Sequence, residues 1–175
     1  MNRTMRGLII FFVLIALKIT FASHSAQAPV TPSTMVMSCV GTLTYENSQG
    51  ATGTIYGDVV FTKTSSGVCQ IKGWPTVVMQ TSVGSEVPTS ISHDFTRWVS
   101  GAANHPPTLI HMRQGDRAMF QMAYSAIPAG DETSCPSFSK FQVSIAAVNL
   151  GVATSAYPLT PCNQGQIVVS PIYPG

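Results

Sequence analysis

The 175-residue chain carries nine Lys and Arg against seven Asp and Glu, a formal charge of +2, and only 9% of its residues are charged. Three of the cations, Arg3, Arg6 and Lys18, sit in the first eighteen residues, and without them six face seven, a charge of −1. A near-neutral body with no basic cluster speaks against nucleic acid, which is held largely through several phosphate contacts by Lys or Arg, and against polybasic attachment to a membrane surface.

The chain opens as an export signal does. Arg3 and Arg6 precede the apolar run Gly7 to Leu17, Lys18 interrupts it, and small residues follow up to Ala28. Eleven apolar residues fall short of the roughly 20 that a membrane span needs, so no span is expected after cleavage, somewhere between residues 22 and 28. A signal peptide over 1–28 makes the mature protein secreted, or extracytoplasmic. Pro29-Val30-Thr31-Pro32 begins an extended linker over 29–36. Residues 37–175 are long enough for one domain with a single core.

From there the pattern is strands and turns. Residues 54–62 alternate, with Ile55, Gly57, Val59 and Phe61 on one face and Tyr56, Asp58, Val60 and Thr62 on the other. Residues 75–81 are rich in β-branched side chains, and 117–125 place Ala118, Phe120, Met122 and Tyr124 on one side. Phe141, Val143 and Ile145 repeat the period, as do Ile167 and Val169. Turn formers separate these runs, among them Ser65-Ser66-Gly67, Gln114-Gly115-Asp116 and Pro128-Ala129-Gly130-Asp131. No window shows a capped helical period. Short strands at this spacing predict an all-β protein, an antiparallel β-sandwich of loosely immunoglobulin-like type.

All four cysteines, Cys39, Cys69, Cys135 and Cys162, lie beyond the signal. An even number in an exported chain predicts two disulfides, and four cysteines allow three pairings. Cys39–Cys69 and Cys135–Cys162 are favoured because each closes a local loop of about 30 residues, worth roughly 3–4 kcal/mol by restricting the unfolded chain.

The segments Gly57-Asp58-Val59-Val60-Phe61-Thr62-Lys63-Thr64-Ser65 and Cys69-Gln70-Ile71-Lys72-Gly73-Trp74-Pro75 are similar to a bacterial, actinobacterial-type family of secreted and lipoprotein domains of unknown function. Its signature is Cys-x-Ile/Leu-x-Gly-Trp/Tyr-Pro. The likeness continues through Gln114 to Tyr124, Cys135-Pro136 and Pro161-Cys162, and spans roughly residues 38–173. It implies a two-disulfide β-sandwich and supplies no activity, ligand or site residue. The lipidation cysteine of many members is missing here. In the signature, Gly73 suits a close backbone passage and Pro75 fixes entry to a strand. Trp74 is expected to pack against the Cys69 disulfide, with a carbohydrate-stacking platform at Trp74 or Trp98 as the alternative.

No catalytic residues can be assigned. There is no G-x-S-x-G elbow, no H-E-x-x-H and no phosphate-cradling glycine loop. His93 or His105 with Asp58 or Asp116 makes a Ser-His-Asp set only on paper, because serines abound. Asp131-Glu132 reads as a solvated turn. His111, Met112 and Met122 form the one ligand set that soft-metal chemistry could use, for Cu(I). Alternation nevertheless puts His111 and Met112 on opposite faces of a strand, and methionine commonly fills core gaps. The expectation is therefore a noncatalytic cell-envelope interaction module without a cofactor. It would bind a protein, a cell-wall component or a small molecule through the loops 83–108 and 126–138. A copper-handling protein is the alternative.

Overall fold

The computed structural model describes residues 39–87, 89–94, 106–146 and 148–175. The expected signal segment and linker, and with them Trp98 and His105, lie outside the described residues.

The alternating run at 54–62 becomes strand β2 (Thr54–Lys63), paired antiparallel with β1 (Gly41–Ala51) on one side and β8 (Arg117–Ser125) on the other. The odd residues of β2 face inward: Val59 and Phe61 are buried, as are Ala118, Phe120, Met122 and Tyr124 opposite them. Lys63 continues that inward register past Phe61 and is only 1% exposed. Its ammonium is met by the carbonyl and hydroxyl of Ser65 and by the Ser66 carbonyl, so a buried cation is hydrogen-bonded without a carboxylate.

Beyond β8 the sheet continues through β11 (Gln166–Val169) to β6 (Ser90–Ser92), and β12 (Tyr173–Pro174) also pairs with β8. The β6–β11 pairing is parallel, while the other described pairings are antiparallel. A second sheet runs in the order β10 (Val148–Leu159), β9 (Phe138–Ile145), β4 (Pro75–Gln80), β5 (Glu86–Val87). Its inner face contributes Val77, Met79, Phe141, Val143, Ile145, Leu150 and Ala153 to the same core. The ring of Tyr45 from β1 meets Phe141 edge-on, with centroids 6.0 Å apart, so the two sheets close on one another through aromatic contact.

A two-stranded ribbon, β3 (Cys69–Ile71) with β7 (Ile110–Met112), covers one end. Both expected disulfides are formed. Cys39–Cys69 ties the start of β1 to β3 with both residues buried, and Cys135–Cys162 links the loop before β9 to the segment before β11. The chain is all-β, with packed sheets and two disulfides. Among the described residues no helix is long and apolar enough to cross a membrane.

Candidate functional site: the stapled loop end

Between β10 and β11 the chain makes one turn, α1 (Cys162–Gly165), with unusual handedness. Asn163 (φ 56°, ψ 50°), Gln164 (φ 60°, ψ 37°) and Gly165 (φ 75°) are all left-handed. Glycine takes this conformation freely and asparagine tolerates it, but glutamine pays for the approach of its Cβ to the following carbonyl. Two long-range contacts impose the turn. The Cys135–Cys162 bond holds its first residue, with Cα atoms 4.7 Å apart. The Glu132 carboxylate accepts the N–H of Asn163 at 2.7 Å and that of Gln164 at 3.2 Å. Such charge-assisted bonds are stronger than neutral ones. Glu132 is itself placed by a turn in which Gly130 is left-handed and the Glu132 N–H donates to the Ala129 carbonyl.

These two turns face each other across an open concavity of about 680 Å³ lined by Ala129, Gly130, Asp131, Glu132, Asn163 and Gln164. It offers carboxylates and amides. A carboxylate oxygen of Glu132 and the sulfurs of Cys135 and Cys162 all lie within 4.8 Å of one another. The sulfurs are joined to each other and so have no thiolate to give a metal or a substrate. The arrangement suits hydrogen-bonded recognition on a rigid frame.

The sequence-predicted positions fall elsewhere. Trp74 is half-buried at the margin of the core, and the His93 ring stacks on it with centroids 4.4 Å apart and planes 18° from parallel. An imidazole therefore covers one face of the indole. The Gly73 carbonyl accepts the Ile172 N–H, which accounts for the backbone passage at the signature. His111 is exposed and lies 3.3 Å from the Gln70 amide, whereas Met112 and Met122 are fully enclosed in the core. Along β7 the exposed His111 and the enclosed Met112 alternate, as the two-residue period requires. Asp131 is exposed, as a solvated turn requires, but Glu132 is engaged by the left-handed turn. Nothing local in Asn163-Gln164 announces that geometry, and its clamp lies 31 residues away.

Three tyrosines titrate high. Burial pushes Tyr124 and Tyr173 up to about 12, helped by the charge of Tyr45 at Tyr124 and of Asp58 at Tyr173. Burial also raises Tyr45.

The family described as Domain of unknown function (DUF4232) matches residues 40–173, from the start of β1 into β12. The chain belongs to this family. No curated protein and no solved structure matches it. The DUF4232 match takes in both sheets, the left-handed turn and its Glu132 clamp, so the stapled loop end is part of the domain that defines the family.

Proposed function

We propose that the protein is a secreted, noncatalytic interaction module of the bacterial cell envelope, a loosely immunoglobulin-like sandwich that binds through its stapled loop end. The observation that carries this reading is the left-handed turn at Asn163-Gln164, held open beside a polar concavity by a disulfide and by a carboxylate spent on two backbone N–H groups. Backbone strain is kept where the surroundings over-determine it, and such places cluster at ligand clamps and other functional sites. Preorganised polar loops on a rigid sandwich lose little conformational entropy on binding. Two disulfides fit an oxidising, extracytoplasmic compartment.

The test is crosslinking of disulfide-intact protein to envelope fractions, comparing the natural chain with a variant carrying Asp131→Ala and Gln164→Ala. A discrete partner that is captured by the first and lost with the second supports the proposal. Equal capture by both, while thermal stability is unchanged, refutes the loop end as the binding surface.

A further inference from the structure

The outer face of the first sheet is built differently from that of the second. Register places Glu46, Asp58 and Gln121 in one row across β1, β2 and β8. On one side of this row, the row Val60–Met119 ends at Tyr173, and on the other side Tyr56 stands over Ala123 and Val168. Both tyrosines are half-buried at the surface. The two flanking rows lie four residues apart along the strands, about 13 Å.

The polar groups between the rings are fixed to one another. Asn47 donates to Asp58 at 3.0 Å, and Gln121 donates to its other oxygen at 3.3 Å. Thr44 donates to Glu46 at 2.7 Å, Arg117 pairs with Glu46 at 3.1 Å, and the Tyr56 hydroxyl donates to Gln49 at 3.0 Å. On the outer face of the second sheet, Thr76, Val78, Gln80, Lys140, Gln142 and Ser144 make no side-chain hydrogen bonds with one another among the described residues. Among the described residues, the first sheet alone presents such a linked polar row.

Its charge selects a partner. Arg117 is paired with Glu46, so among the described residues this face offers no unpaired cation for a phosphate or sulfate. Asp58 is enclosed by two amide donors, and each of its oxygens keeps a lone pair for a further hydrogen. What remains is one carboxylate, Asp58, that no cation balances among the described residues, together with amide donors and two aromatic rings. Its complement carries no negative charge, donates hydroxyl hydrogens to the carboxylate, accepts from the amides at closely spaced points, and carries apolar C–H faces. We propose that the outer face of the first sheet binds a neutral polysaccharide, with Asp58, Asn47 and Gln121 engaging hydroxyls and Tyr56 and Tyr173 taking the C–H faces of the sugar rings. Because the side chains are already ordered, binding immobilises few rotamers. The span between the tyrosine rows suits a chain of sugars better than a single ring.

This surface shares no residue with the loop end, and the test distinguishes them. Disulfide-intact protein is run by affinity electrophoresis through gels containing soluble glucan, mannan, xylan or arabinogalactan, with polygalacturonate as an anionic control. Retardation by at least one neutral polysaccharide is expected. Affinity should fall about tenfold or more in Tyr173→Ala and several-fold in Asn47→Gly, and stay unchanged in Asp131→Ala. Asn47 is exposed and left-handed (φ 53°), a conformation that glycine takes freely, so Asn47→Gly removes the amide without backbone strain and guards against a variant that merely misfolds. The proposal is overturned if no neutral polysaccharide retards the protein, if only the anionic one does, if both face variants bind like the natural chain, or if binding is lost in Asp131→Ala alone.

Discussion

Gly57 lies at the centre of β2, opposite Met122, and is buried beneath the ring of Tyr45. A Cβ built there would stand 2.6 Å from both Cζ and the hydroxyl oxygen of Tyr45, and 2.7 Å from Cε2. Carbon atoms in good contact are about 3.5–4.0 Å apart, so Gly57→Ala requires the ring to retreat by about 1 Å. Its movement is limited by the edge-on contact with Phe141. Overpacking of this kind costs about 1–3 kcal/mol. Gly57 has no left-handed φ, so the substitution also recovers about 0.4–1 kcal/mol by stiffening the unfolded chain. The net expectation is a loss of about 1–2 kcal/mol, or about 3–10 °C in Tm for a domain of this size. Urea unfolding should show a lower midpoint with an unchanged slope. The decisive comparison is a double-mutant cycle with Tyr45→Ala: once the ring is gone, Gly57→Ala should cost nothing or stabilise, giving a coupling of about 1 kcal/mol or more. A neutral Gly57→Ala, or a cost that persists without the Tyr45 ring, refutes the reasoning.

Gln164→Gly should stabilise the fold by up to about 1 kcal/mol, because relief of about 1–2 kcal/mol of left-handed strain outweighs the added freedom of the unfolded chain. A lower melting temperature would count against the assigned backbone. Replacing both cysteines of either disulfide by alanine should cost about 3.6 kcal/mol from loops of 30 and 27 residues. The Cys39–Cys69 pair should lose more, because both residues are buried in the core and leave a cavity. Equal losses in calorimetry would contradict that difference. Tyr124 and Tyr173 have folded-state values of about 12 against an ordinary 10. The folded protein therefore holds protons that the unfolded chain releases, and the associated stability is complete below pH 10 and is lost as pH rises toward 12. Ultraviolet titration should show late phenolate formation coupled to unfolding, and complete ionisation near pH 10 in a folded protein would be inconsistent with this.

The sequence by itself determined what depends on one strand or one short loop. The two-residue period of 54–62 and 117–125 put Val59 with Phe61 on one face and Phe120 with Met122 on one face, because side chains alternate along a strand whatever its neighbours. The same period separated His111 from Met112. Local loop closure favoured the disulfide pairing that the fold contains. Long strands at 41–51 and 148–159 were less legible, since β1 turns polar after Tyr45 and β10 breaks its pairing with β9 between Thr154 and Leu159.

Only the tertiary structure decided the contacts between distant segments. It brought Glu132 to the N–H groups of Asn163 and Gln164, laid His93 on Trp74, and aligned Glu46, Asp58 and Gln121 in a single row. Those arrangements depend on register between strands and on which loop ends meet. A one-residue slip would move every side chain of a strand to the opposite face, and no periodicity within a single segment carries that information.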